Sequence, residues 1–204
     1  MNNLHERENA AIDIEAAYAE ACRTVGDIHE HMPVLRYFAE RVVHNDPALI
    51  ADDAHVVELG VRSVVSTWAF LAARPKRLVS VDIEDAHPEC VRACREVCKA
   101  ADQPWEFVLA NSLTLQPIEC GLLFIDTLHT YAQLREELLR HGPFASQFIA
   151  LHDTEKYGEV GDFDTRPGLK AAVNEFLEHP SGQPFEIALH LPNCCGLTVL
   201  RRAR

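Results

Sequence analysis

"HVVELGVRSVVSTWAFLAARPKRLVSVDI", residues 55–83, is the stretch on which the fold turns. Its first six residues are a short β-branched run that ends on an acid and a glycine, Glu58 and Gly60. A segment of helical character follows, and "KRLVSVDI" is a second buried strand that again ends on an acid, Asp82. Strand, helix, strand in this order is the βαβ unit of a parallel sheet.

The same alternation continues downstream. "PECVRACREVCKAA" reads as a helix, "WEFVLANS" and "LLFIDT" as strands, "YAQLREELLRH" as a helix, "QFIALHDT" as a strand and "GLKAAVNEFLEH" as a helix. The chain closes with "FEIALHL" and "GLTVLRR", whose connection is too short for a crossover and makes them antiparallel. Upstream, residues 4–24 have helical spacing, and "GDIHEHMPVLRYFAERVVH" runs as a turn and then a helix with Pro33 in its first turn. The expected architecture is α/β: a Rossmann-like, doubly wound, mostly parallel seven-stranded sheet with a C-terminal antiparallel hairpin and N-terminal helical cover. Residues 1–45 form the helical extension and 46–204 the sheet domain, as a single folded unit.

Composition narrows the function classes. A chain of 204 residues with 48% hydrophobic residues fills one core. Its net charge of -12 argues against a nucleic-acid backbone or an anionic membrane as partner and favours a small-molecule substrate, held partly through a cation. No stretch is apolar for the roughly 20 residues a membrane helix needs, and the polar N-terminus lacks a signal-peptide core. A cytoplasmic location is expected, with the seven cysteines reduced. Cys90, Cys94 and Cys98 recur every four residues on one helix face, where three thiolates can bind a metal or three small side chains can pack on a core. Without a CxxC pair or a fourth ligand nearby, the core reading is preferred.

In a doubly wound sheet, ligands bind beyond the carboxyl ends of the strands. Glu58, Asp82, Asn111, Asp126, His152 and Asp153 all fall there. The first turn has one glycine where a dinucleotide site wants three, and Val64 and Val65 would obstruct a pyrophosphate. S-adenosylmethionine, an adenosine without phosphates, makes lighter demands. Glu58 and Gly60 would lie against it, the helix N-terminus would favour its carboxylate, and Ser63, Ser66 and Thr67 offer hydroxyls. Asp82, 22 residues after Gly60, is at the distance of a ribose-binding acid, and Asn111 or Ser112 would meet the adenine.

"FIDTLHTY", residues 124–131, then carries the chemistry. Asp126 ends one strand and His152-Asp153 a neighbouring one, so the three converge as ligands for Mg²⁺ or Mn²⁺, with His152 moving the preference towards a transition metal. His129, with a pKa near neutrality, is placed to take a proton from a hydroxyl that the cation has acidified. The long polar loop 154–168 reads as a lid or binding loop, with Tyr157 and Arg166 facing substrate. His29 and His31 either fold over the cofactor pocket or line a turn.

These blocks, with "DIHEHMP", "ALHDT" and "NCCGLTVLRR", resemble the small class I S-adenosylmethionine-dependent methyltransferases over residues 27–202. The resemblance is to the metal-dependent O-methyltransferases of the macrocin and mycinamicin type and to the cephalosporin-biosynthesis protein of similar fold. It implies that residues 46–204 are a methyltransferase domain acting on a hydroxyl of a sugar or natural product. It also implies that Asp126 binds Mg²⁺, that His129 is the general base, and that residues 1–45 are a homo-oligomer interface. The acidic pair of those relatives falls on His152-Asp153, and their frequent glycine falls on Val64. Two other readings stay open: a nucleotide-dependent oxidoreductase, and a catalytically inactive cofactor-binding or scaffold protein.

Overall fold

A computed structural model of the chain describes residues 13–24, 26, 28–44 and 55–203. Helix α1 is Ile14–Arg23, started by Asp13, whose side chain accepts from the Ala16 amide at 2.7 Å. A 3-10 turn, His29–His31, leads into α2, Met32–His44, which buries Leu35, Phe38, Ala39 and Val42 at helical spacing. Residues 4–12 of the expected first helix, and the boundary at 45/46, lie outside the described residues.

The sheet is built from β1 (His55–Leu59), β2 (Arg77–Asp82), β3 (Trp105–Leu109), β4 (Cys120–Ile125), β5 (Ala145–His152), β6 (Phe185–Leu191) and β7 (Leu197–Arg202). Strand order is β3-β2-β1-β4-β5-β7-β6, parallel from β3 to β5, with β7 antiparallel to both of its neighbours. Helices α3 (Val65–Ala72), α4 (Pro88–Ala100), α5 (Tyr131–His141) and α6 (Leu169–Glu178) fill the connections. This is the Rossmann-like arrangement with a C-terminal hairpin that the strand pattern predicts. Among the described residues no helix is long and apolar enough to cross a membrane.

Side chains of a buried strand point alternately to the two faces. Val56, Leu122 and Phe124 pack with Leu35, Phe38, Phe70 and the Cys94–Cys98 face of α4. Val57, Leu123 and Ile149 pack on the other face with Leu138, Val173 and Phe176 of α5 and α6. The cysteine face of α4 is therefore core.

One helix begins later than its sequence suggests. Residues 61–64 form a turn, and α3 starts at Val65. The Asp82 carboxylate accepts the Val61 and Arg62 amides at 2.8 and 2.9 Å, and Arg62 and Val64 take left-handed φ of +51° and +59°. Such a φ is costly for a β-branched residue. Here the Val64 side chain turns inward and is buried with Phe70 and Leu71, so it does not stand in the path of a ligand.

Gly60 has no such latitude. At φ +88°, a Cβ there would lie 1.9 Å from the Asp126 carbonyl oxygen, which is itself fixed by the sheet. Gly60→Ala is expected to cost at least about 2 kcal/mol of stability, from left-handed strain and a backbone clash together. Urea unfolding tests this, and an unchanged midpoint would refute the tight crossing.

Candidate active site

The strand register brings the tips into one row. Leu59 pairs with Val81 and with Ile125, and Ile125 with Leu151. The Gly60 amide donates to Val81 O and the Asp126 amide to Leu59 O, both at 2.8 Å. Gly60, Asp82, Asp126 and His152 thus stand side by side at one end of the sheet.

Two lobes of a cleft open over this row. One, about 420 Å³, is lined by Asp82, Ile83, Asn111, Ser112, Leu128 and Gln133. The other, about 400 Å³, is lined by Thr24, His29, Ser63, Ser66, His129 and Asp153. Both share Gly60, Val61, Arg62, Asp126 and Thr127, so they meet above the β1–β4 crossing.

Several side chains expected to touch a cofactor are engaged with the protein. Glu58 is buried and lines neither lobe; its carboxylate accepts from Ser66, Thr67 and Ser80 hydroxyls at 2.6, 2.9 and 2.6 Å. Burial raises its pKa, and the three donors only partly offset that, leaving it at about 7. Its role is to pin the start of α3 to β2. Ser66 reaches the cleft wall with its hydroxyl committed to Glu58. Ser112 likewise donates to buried Glu137 at 2.6 Å. The amides of Val61 and Arg62, expected to be open to a ligand carboxylate, are taken by Asp82. Asn111 Oδ1 accepts the Leu113 amide while its residue lines the first lobe.

The catalytic candidates do converge. Asp126, His152 and Asp153 each offer one ligand atom, and these lie within 4.8 Å of one another. His152 Nδ1 is 3.6 Å from both Asp126 Oδ2 and Asp153 Oδ2, too far for hydrogen bonds. Asp153 Oδ1 and both His152 nitrogens are buried without a hydrogen-bond partner. Orphaned donors and acceptors in this spacing fit a cation between them.

His129 sits at the rim, its Nε2 2.8 Å from Asp153 Oδ2 and 3.3 Å from Asp126 Oδ1. Asp162 accepts from the other edge, with its Oδ2 3.1 Å from Nδ1 and 3.2 Å from the His129 amide. Tyr157, expected to face substrate, stacks on the His129 ring at 4.5 Å and 7° and buttresses it. Arg166 is exposed and lines neither lobe. Asp162 was not singled out by sequence; its only signal is the excess of acids in loop 154–168.

The near-neutral pKa expected for His129 does not hold. Burial alone would depress it, but hydrogen bonds to Asp126 and Asp153 outweigh burial and lift it to about 10. Burial would depress His152 too, but the charges of the Asp126 and Asp153 carboxylates 3.6 Å away outweigh it and lift it to about 10. Asp126 and Asp153 are held below the usual carboxylate range: burial opposes this, and the two histidines overcome it. Two imidazolium ions balance two carboxylates.

No family model matches the sequence, and no curated protein matches it significantly. Solved structures do match. An O-methyltransferase from Bacillus cereus in complex with S-adenosylhomocysteine superposes with a TM-score of 0.65 at 14% identity, over 93% of this chain and 90% of that one. A methyltransferase from Geobacter sulfurreducens gives 0.59 at 16%, over 94% and 88%. The chain has a methyltransferase fold. An RNA methyltransferase candidate from Pyrococcus horikoshii shares this methyltransferase fold, with a TM-score of 0.58 at 8% identity over 93% and 96%, so likeness alone leaves the acceptor open.

Within the methyltransferase fold, the paired histidines give a signed pH dependence. Their folded values of about 10 exceed the ordinary 6.5, so their stabilisation is complete below about pH 6.5 and is lost as pH climbs towards 10. Thermal unfolding in chelator should show the melting temperature falling across that window. A flat or rising profile would contradict the imidazolium–carboxylate pairing.

Proposed function

We propose that the protein is an S-adenosylmethionine-dependent methyltransferase that methylates a hydroxyl of a small molecule of the sugar or natural-product type, with His129 as general base. The observation that carries this reading is the meeting of the two lobes over Gly60 and Asp126, with the His129 imidazole at the junction. Each lobe is of small-molecule size, and the net charge of -12 disfavours an RNA acceptor.

S-adenosylmethionine would supply a methyl carbon already activated on a sulfonium, leaving the protein to orient the acceptor and remove its proton. Gly60 lets the backbone pass under the ligand, Asp82 holds the turn, and Asn111 and Ile83 border the first lobe. A divalent cation held by Asp126, His152 and Asp153 would make an acceptor hydroxyl more acidic. Charge on such a cation also weakens the hold of Asp126 and Asp153 on the His129 proton, bringing that imidazole back towards the range of a useful base. Asp162 accepts from Nδ1 and fixes the ring so that Nε2 faces the junction, where it takes the hydroxyl proton. Tyr157 keeps the ring in plane from behind.

Calorimetric titration with S-adenosylhomocysteine should give micromolar binding. His129→Ala should keep that affinity while lowering transfer of labelled methyl to a panel of sugar and phenolic acceptors by about 10²–10⁴-fold. Asp162→Asn should lower turnover less and leave binding unchanged. Transfer by His129→Ala at the rate of the unaltered protein would remove the assigned base.

A further inference from the structure

The unexplained buried polar atoms of this chain gather at one point. Among the described residues, both ring nitrogens of His31, both of His152, and Asp153 Oδ1 lack any hydrogen-bond partner. The remaining such atoms, on Ser146 and Gln147, lie at the opposite end of β5. His31 is fully buried and closes the 3-10 turn before α2, so it is carried by the helical cover and not by the sheet. Its ring meets that of His152 edge to face, with centroids 5.3 Å apart and planes at 74°.

A buried imidazole without a partner is unfavourable, and two in contact doubly so. His152 of this pair stands against the Asp126 and Asp153 carboxylates, whose ligand atoms converge with its own; His31 lies just outside that group, and a cation there would draw its ring in from the contact with His152. We propose that His31 is a fourth protein ligand of this centre, making it a two-histidine, two-carboxylate site that takes a first-row transition cation in preference to Mg²⁺. This deepens the cation assignment made above and rests on it. Imidazole nitrogens suit Co²⁺, Fe²⁺ or Zn²⁺, whereas Mg²⁺ favours oxygen ligands and retains its waters. The two carboxylates and two imidazoles hold the cation without a thiolate, and neither Cys194 nor the α4 cysteines take part. Because His31 belongs to the cover, the bound ion ties residues 29–44 to the tips of β4 and β5.

The test uses the full chain, stripped with chelator and titrated calorimetrically with Co²⁺ and with Mg²⁺. Co²⁺ should bind at least about tenfold more tightly than Mg²⁺. His31→Leu should weaken Co²⁺ by about 10–100-fold and leave Mg²⁺ nearly unchanged. Proton NMR of the Co²⁺-loaded, unsubstituted protein needs no variant: it should show two exchangeable imidazole N–H signals with large paramagnetic shifts. One such signal, or unaltered Co²⁺ affinity in a folded His31→Leu protein, removes His31 from the centre while the three-residue site stands. No Co²⁺ binding by the unsubstituted protein overturns both this inference and the cation assignment beneath it.

Discussion

β1 and β4 pair directly, and the chain leaves their carboxyl ends in opposite directions, towards β2 from one and towards β5 from the other. That divergence opens a crevice, and the absence of a side chain on Gly60 lets its two walls touch at the bottom. Every residue of the candidate site is placed relative to this crossing. Asp82 folds the Gly60 turn back over β2, Glu58 anchors the helix behind it, and Asp126 emerges on the far side with its carboxylate towards β5.

The charge distribution follows from the same geometry. Parallel strands in register deliver acids side by side, and Asp126, Asp153 and Asp162 all come within hydrogen-bond reach of a single imidazole. Carboxylates packed so closely need positive charge among them. The histidines provide it by holding protons; a divalent ion at the Asp126 centre would take over that duty and free them. Were a cation held there, protonation of His129 and occupancy of the Asp126 centre would be alternatives, linking the acid–base state of the site to its metal content.

The sheet was legible because buried strands separated by helices leave a plain pattern, and because Glu58, Asp82, Asn111, Asp126 and His152 stand at or beside the carboxyl ends of the parallel strands. The convergence of Asp126, His152 and Asp153 was legible for the same reason: adjacent parallel strands of similar length put their ends together. Glu58 was not. Its partner Ser80 faces it only through the β1–β2 register, and Ser66 and Thr67 only because α3 starts four residues late, neither of which shows in a linear reading. The stacking of Tyr157 on His129 is equally invisible in the sequence, since it depends on how the loop folds back. Asp162, and the neighbour that His31 would meet, were hidden because those contacts join segments far apart in the chain, with no periodicity to announce them.

The loop after β5 closes on itself. Its first residues, Glu155 and Lys156, donate backbone amides to Cys195 O, and its last turn is tied back by Leu169 to Tyr157 and Lys170 to Gly158. Asp162, through its carboxylate and its amide, and the stacked Tyr157 ring reach across to His129. Residues 159–166 thus lie between two anchors, with Tyr157 and Leu169 packed on the core at either side and Asp162 tied to His129. Natural variation could exchange the residues on either side of Asp162, length and sequence together, without disturbing the Gly60 turn, since none of them lines the cleft. The exposed part of this loop is then the segment this architecture leaves freest to diversify.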